Sequence, residues 1–391
     1  MKDTYGVLLF QEDCLRVAMT LAGFSAGDAD ALRRAMSRSR SKEAMAEMRT
    51  RFMDGAERQG VTPETATLAF DKLAGFAQYG FCRSHAASFA LISWQTLWLK
   101  HHHPAEFYTA LLNSQPMGFY TPEVVVGDMK RHGIALLPPD INHSAWEYTV
   151  AHATALRMGV CAIAGLGEAN WARVEDARAL SGAFKTLPEF CKRTQLPRAL
   201  VSNLIRAGLF DALGERRRVL WDLGEAEYET RGLEIEPVIN TVALPLLSEF
   251  ERTLWDYELS GLSAAGQVLR HFRGALERAG VLSTAQVKAQ RNGALVRVAG
   301  LQVVRQMPGT AKGVVFVSCE DEHGLVDVVI QPHTWQKYRM LMKTHSLLLF
   351  TGSVQQVSGA TSVLATSAQP LVGAETPQVS GGDGGVYAKW H

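Results

Sequence analysis

No stretch of this 391-residue sequence is apolar for long enough to span a bilayer. No secretory leader opens it either, because acids follow at once on the short apolar patch of "MKDTYGVLLFQEDCLRV". Cysteine is scarce. Cys14, Cys82, Cys161, Cys191 and Cys319 are dispersed, odd in number and never spaced as C-x-x-C. That argues against a disulfide scaffold or a zinc site and for reduced thiols in the cytoplasm. An excess of one charge is also missing. The formal net charge is +1, so the molecule as a whole is no polycation. There is no G-x-x-x-x-G-K-[ST] loop, and "PGTAKG" approaches it only loosely. No acid pair of the Asp-x-Asp type sits in an apolar strand, as two-metal phosphoryl transfer would use. No long-period internal repeat is visible.

What is present is the composition of a folded chain. Hydrophobic residues make up 47% and charged residues 20%, over a length that suits two to four domains. The expected class is multidomain α plus β. Residues 6–115 read as mostly helical. "EDCLRVAMTLAG" has apolar residues at helical spacing and ends at Gly23. Asp28 or Asp30 is the expected cap of the next helix, "ALRRAMSRSR". Further helices are predicted over about 42–58 and from Pro63 onward. From Ala86 to Lys100 nearly every face is apolar, which predicts a central, buried helix.

Residues 116–225 read as a loop, a helix, a Pro-Pro turn and then short helices, and 226–290 as a helical linker region. From 291 to 370 the texture changes to short β-rich runs, with one helix-like piece, "HTWQKYRMLMK", between the third and fourth. Five strands in that order predict an OB-fold barrel. The Gly-rich, polar end, 371–391, reads as a disordered tail.

Four groups of residues are candidates for chemistry. The run "LRRAMSRSRSK" carries Arg33, Arg34, Arg38, Arg40 and Lys42 without an acid, and suits either a solvated face or a polyanion. Arg33 and Arg34 are about 100° apart on a helix, so they are expected to diverge, with one able to grip a phosphate. "FAQYGFCRSHAASFA" places Tyr79, Phe81, Arg83, Ser84 and His85 at the mouth of the apolar helix, where its positive end favours an anion. "IAGLGEANWARV" has the form of a helix-hairpin-helix turn. Gly165 and Gly167 would let the backbone approach a DNA phosphate, though an ordinary helix–helix turn also favours glycine. A second hairpin candidate ends in Arg216, Arg217 and Arg218.

The barrel segment offers Arg297, Arg305, Lys312, Phe316 and Trp335 for single-stranded DNA, with Phe316 read as core rather than platform. Such barrels also serve as protein-docking modules. "HHHP" at His101–Pro104 reads as a helix end and not a metal cluster, since adjacent helical histidines point apart.

In this order the motifs resemble the bacterial C-family DNA polymerases, the family of the replicative polymerase III alpha subunit. The matching pieces are "GVLLFQEDCLRVAMTLAGFSAGDADALRRAMSRSRS", "YGFCRSHAASFALISWQTLWLKHHHPAEF", "LLPPDINHSAW" and "LPEFCKRTQLPRALVSNLIRAGLFDALG". The resemblance runs from about Thr4 to Ala368. "LLNSQPMGFY" and "VRQMPGTAKGVVFVSCEDEHG" resemble the error-prone, damage-induced branch.

The resemblance assigns 1–115 to part of the polymerase fingers. It implies that Arg33, Arg34, Tyr79, Phe81, Arg83, Ser84 and His85 face the incoming nucleotide, positioning the triphosphate and stabilising its charge. From the residues themselves, DNA contact is expected through Gly165, Gly167, Arg216, Arg217, Arg218, Arg297 and Lys312. Family members carry a PHP domain and a palm with metal-binding aspartates ahead of the fingers, and this sequence opens inside the fingers. A C-terminal portion, inactive alone, is therefore expected, with Mg²⁺ bound by ligands outside this chain. The implied partners are primer–template DNA, deoxynucleoside triphosphates, the missing N-terminal polymerase portion, a Y-family-like accessory protein and the sliding clamp, with no membrane. The alternative is a stand-alone DNA-binding or accessory module.

Overall fold

Helices fill the first hundred residues because apolar positions recur at helical spacing between strong breakers. The computed structural model describes residues 1–37, 42–76, 81–118, 120–225 and 243–371. Tyr79, Arg38, Arg40 and the expected tail beyond 371 lie outside the described residues. The chain divides into two compact units, Met1–His101 and His102–His391.

In the first unit, α1 (Gln11–Ala22) starts where the buried Asp13 carboxylate accepts the N–H groups of Leu9 and Phe10, at 3.3 and 3.0 Å. It ends at Gly23, as its spacing predicts. α2 (Ala26–Ser37) starts earlier than expected, because Ser25 and Asp28 form a reciprocal cap. Asp28 therefore sits in the first turn, and Asp30 lies inside the helix. α3 (Lys42–Arg58) crosses α1 at Gly55, where a Cβ would stand 2.2 Å from the Ala22 carbonyl oxygen. α4 (Pro63–Phe76) completes a core in which Phe52 stacks obliquely on Phe24 and Phe70, with centroids 6.0 and 5.4 Å apart.

The central helix is the main departure. α5 (Arg83–His102) forms, but it has no buried residue, and Ala87 to Leu99 are exposed throughout. An apolar pattern on all faces reports that a helix needs enclosure, and the described residues of this chain do not enclose it.

The second unit opens with α6 (Pro104–Asn113) and α7 (Pro122–Arg131), which pack on a small sheet of β1 (Ala135–Leu137), β2 (Thr149–His152) and β3 (Ala155–Arg157). β3 is central, parallel to β1 and antiparallel to β2. Next come α8 (Glu168–Ser181), α9 (Leu187–Thr194), α10 (Arg198–Arg206) and α11 (Arg216–Glu225), around a core of Trp171, Phe184, Phe190, Leu204 and Phe210. α12 (Glu249–Ser260), α13 (Arg273–Arg278) and α14 (Thr284–Lys288) lead to the barrel.

The barrel is closed, in the order β4 (Leu295–Gln306), β5 (Val315–Asp321), β6 (Gly324–Ile330), β8 (Ala360–Pro370), β7 (Leu347–Val357). α15 (Pro332–Thr344) falls between the third and fourth strands, as the OB-like order requires, and buries Met342 against the barrel core. β6 and β8 pair in parallel, which closes the cylinder and leaves no open edge. Phe316 is not core. β5 alternates in and out, and Phe316 falls on an outward position between the buried Val315 and Val317, 38% exposed.

Candidate nucleotide and DNA-binding surfaces

Arg33 and Arg34 do not diverge as their 100° separation suggests. Both reach back one turn to Asp30. Arg33 Nε lies 2.8 Å from Oδ1, and Arg34 Nε and Nη2 lie 2.9 and 2.6 Å from Oδ2. The i, i+3 and i, i+4 spacings put all three side chains on one stripe. Hydrogen bonds from Arg33 and then Arg34 hold the Asp30 carboxyl below its usual range.

At the mouth of α5, another acid plays the same part. Glu12 on α1 accepts the Arg83 backbone N–H with both oxygens, at 2.9 and 3.1 Å, and Cys82 Sγ lies 3.3 Å from Oε1. Burial pushes the Glu12 carboxyl up, but the Arg83 N–H and its neighbours outweigh this and bring it down. The Phe81 carbonyl accepts the Gln11 N–H at 2.9 Å, and Phe81 itself is exposed. The Arg83 guanidinium lies 5.5 Å from the centre of the Phe10 ring. Ser84 Oγ is 2.9 Å from Cys82 Sγ, and His85 stacks on Phe89 at 4.5 Å. The loop residues thus gather at one helix end, and the arginine pair is gathered on α2, each set held by its own carboxylate. Glu12 escaped sequence reasoning because it lies 71 residues from Arg83. Asp30 was visible in its spacing to the two arginines.

In the second unit, Gly165 and Gly167 have φ of +78° and +65°, a region that L side chains rarely adopt. Gly167 caps α8, and a Cβ there would meet nothing within 4 Å, whereas one on Gly165 would lie 3.9 Å from Asn203 Nδ2. No helix precedes the turn. Residues 160–164 form bends and turns, tied in by the Ala164 N–H to the Leu259 carbonyl at 2.8 Å. The exposed Glu168 in the first turn of α8 disfavours a phosphate.

The three arginines part company. Arg216 is buried. Its Nε and Nη2 bind Asp211 in a fork, both at 2.9 Å, and its Nη1 reaches Asp256 at 2.7 Å and the Arg206 carbonyl at 2.9 Å. Burial pushes its pKa down, but the two aspartates more than reverse that. This side chain is taken up inside the fold, so the expected phosphate contact gives way to an internal ion pair. Arg217 binds Glu251 at 2.6 Å and the Pro245 carbonyl at 2.9 Å, and Arg218 pairs with Asp222 at 3.0 Å. Both keep partial exposure.

On the barrel, Arg297 donates to the Ala279 carbonyl at 3.0 Å, and Lys312 is exposed at a turn with φ +50°. Arg305 lies 5.7 Å from the centre of the Trp335 ring, and Phe316 pairs with Gln306 across β4 and β5. Phe316 therefore stands at the barrel surface.

A cavity of about 260 Å³ lies between α7, the segment after α12 and the end of β5. Glu123, Lys130, Arg131, Tyr257, Arg270 and Glu320 line it. Burial pushes Glu123 up to about 8 and Glu320 up to about 7. Tyr257 donates to Glu123, Arg131 reaches Glu320 at 3.4 Å, and Glu320 Oε2 is buried with no hydrogen-bond partner. Among the described residues no three His, Cys, Asp or Glu side chains come together as metal ligands. No helix among them is long and apolar enough to cross a membrane.

The model of the bacterial DNA polymerase III alpha subunit finger domain matches residues 1–60, and a helix-hairpin-helix motif model matches residues 133–220. Finger domain, hairpin region and closed barrel on one chain define a DNA polymerase region. The error-prone DNA polymerase of Corynebacterium glutamicum is 39% identical over 371 residues, covering 94% of this chain and 35% of that protein. Those of Anaeromyxobacter sp. strain K and Burkholderia pseudomallei are each 38% identical, covering 94 and 97% of this chain and 34 and 36% of theirs. The chain belongs to the C family of bacterial DNA polymerases, in its error-prone branch. It spans about a third of the length of the curated relatives it matches. Among solved structures, asparaginyl-tRNA synthetase from Pyrococcus horikoshii is similar over 26% of this chain and 27% of its own, at 16% identity and a TM-score of 0.21, too little to support an inference.

Proposed function

We propose that this chain is the C-terminal, nucleotide- and DNA-handling portion of an error-prone, translesion DNA polymerase of the cytoplasm. The observation that carries the reading is the positive-φ glycine turn at Gly165–Gly167 on the same chain as a closed OB-like barrel and a polymerase finger domain. The turn offers backbone N–H groups to duplex phosphates, and the barrel offers Arg297, Lys312 and Phe316 to a single-stranded template.

In the first unit, Asp30 and Glu12 hold the donors that a triphosphate would claim. A bound nucleotide would take over Arg33, Arg34 and the Arg83 N–H, with Ser84, His85 and Phe81 beside it. The reading assigns Mg²⁺ and the chemistry of phosphoryl transfer to ligands outside this chain, as the family resemblance implies. Alone, the chain binds DNA and extends nothing.

Competition electrophoresis tests the reading. A primer–template with a single-stranded overhang should displace blunt duplex of the same length from the chain, and purified chain with Mg²⁺ and four nucleotides should leave the primer unextended. Equal affinity for both DNAs, or extension that survives stringent purification, would overturn it.

A further inference from the structure

Two hydrophobic cores meet beside α7. In one, Val125, Val126 and Met129 of α7 pack with Tyr108, Leu156 and Leu262. In the other, Tyr257 of α12 packs with Leu269, Leu276 and the barrel residues Ala299, Leu301 and Leu349. The cavity of about 260 Å³ lies along this seam, and two of the acids that line it join its sides. Tyr257 donates to Glu123 of α7, and Arg131 of α7 reaches Glu320 of β5. Glu320 is seated on the α7 backbone itself. A Cβ on Gly127 would stand 2.6 Å from its Oε1, so a side chain there would displace the carboxyl. Glycine is a poor residue for a helix interior, so α7 gives up stability to hold this group.

The cavity holds more acids than its cations can answer. Lys130, Arg131 and Arg270 face Glu123, Glu320, Asp321 and Glu322. Arg273 of α13 binds Asp321 and Glu322, both at 3.0 Å. The Lys130 ammonium donates to the Ala264 carbonyl at 2.8 Å, and Arg270 binds the Ala265 carbonyl and Glu249. Of the neighbouring titratable groups, His271 lies 2.9 Å from Thr253 Oγ1, and Asp128 accepts from Tyr108 at 2.7 Å. The donor to the Glu320 carboxyl is Arg131, at 3.4 Å on Oε1, and Oε2 is buried without a partner. Glu123 accepts from a neutral phenol. A buried carboxylate so thinly served is unfavourable, and a proton on each acid removes the charge. Burial above all raises both groups, Glu123 to about 8 and Glu320 to about 7.

We propose that Glu123 and Glu320 form a proton-operated clasp between α7 and the barrel. Protonated, they lie closed in the seam. Ionised, they draw water into the cavity and release α7 from Tyr257 and β5. In water both acids titrate near 4.5, so their protons hold the clasp fully shut below pH 4.5, and the hold is lost as pH rises through 7 and 8. The clasp needs neither nucleotide nor DNA, so its failure and that of the polymerase reading are separate results.

Hydroxyl-radical footprinting of the full chain tests the clasp, with Tyr257 as reporter. Tyr257 is 1% exposed, and release of α7 would open it to water. Trp171, in the core around α8 and α9, is the internal reference. The titration of Glu320 alone makes opening about ten-fold more favourable at pH 8.5 than at pH 6, and Glu123 adds to this. Oxidation of Tyr257 relative to Trp171 should therefore rise about ten-fold or more between those pH values. It should fall back when pH 6 is restored, with the helical circular dichroism unchanged throughout. The Glu123→Gln, Glu320→Gln double variant should lose this dependence.

Equal protection of Tyr257 at both pH values in the parent would overturn the proposal, whether or not the variant folds. So would an equal rise at Trp171, which would mean general unfolding, or the full pH dependence in a folded double variant.

Discussion

Removing the Arg216 side chain should cost this protein stability rather than DNA affinity. Its guanidinium is 7% exposed and makes four polar contacts, two to Asp211, one to Asp256 and one to the Arg206 carbonyl. The two aspartates would respond differently to losing their partner. Asp211 is 37% exposed and can turn to water, whereas Asp256 is 13% exposed and stays enclosed. An uncompensated buried charge is the expensive part, and breaking such a pair from one side costs about 3–5 kcal/mol. For a unit of this size each kcal/mol moves the melting temperature by about 2–4 °C, so Arg216→Ala should melt roughly 6–20 °C below the parent. Adding Asp256→Asn removes the stranded charge, and the double variant should recover at least ~1 kcal/mol. Circular dichroism melts give the stability, and DNA affinity is read at a temperature where both proteins are folded. An Arg216→Ala protein that melts like the parent but loses DNA affinity would refute the reasoning and return Arg216 to the DNA surface.

In the enzyme reassembled with its missing portion, Arg33→Ala or Arg34→Ala should raise the nucleotide KM or lower kcat by about ten- to a hundred-fold, the worth of a charge-assisted phosphate contact. Changes under twofold in both would mean that Asp30 is their only role. Gly167→Val and Gly165→Val force a branched side chain to positive φ, so each should cost about 1–2 kcal/mol of local stability and weaken duplex binding, and unchanged duplex affinity would make the glycines mere turn formers. Glu123 and Glu320 give a pH dependence. Their folded pKa values, about 8 and about 7, lie above the usual 4.5, so the folded state holds these protons more tightly. Their contribution to stability is complete below pH 4.5 and is lost as pH rises through 7 and 8. The stability of Glu320→Gln relative to the parent should therefore rise between pH 5 and pH 9, on the order of 1–3 kcal/mol, and a difference independent of pH would contradict the burial of that carboxyl.

The helices of the first unit and the barrel were legible because their apolar periods run for a full element. α3 and α4 lie where the pattern predicts, and the helix between the third and fourth barrel strands marks the OB-like order. β1, β2 and β3 were not legible, since three or four residues are too few to establish alternation. The pattern of α5 predicts a buried helix, and the helix forms but is exposed, because apolar periodicity reports the character of a helix face and not what lies against it. At the candidate site, the pairing of Asp30 with Arg33 and Arg34 was written in local spacing, yet the angle between adjacent residues drew attention to their divergence and away from the acid one turn back. The Glu12 cap on Arg83 and the Asp256 pair of Arg216 join residues 71 and 40 positions apart, and only the folded chain brings them together. Phe316 reads as core from its apolar side chain alone, and the alternation along β5 places it outside.

On the proposed function, this chain grips the DNA backbone through a few phosphate contacts, without reading sequence. Fluorescence anisotropy of a labelled primer–template, titrated across salt, tests it most directly. Each duplex phosphate neutralised contributes about 0.9 to the slope of log affinity against log salt. A handful of contacts predicts a slope of roughly 2–5 and micromolar or weaker binding at physiological salt. Absence of binding at low salt, or binding with a flat salt dependence, would contradict the account and leave the hairpin region and barrel as protein-docking modules.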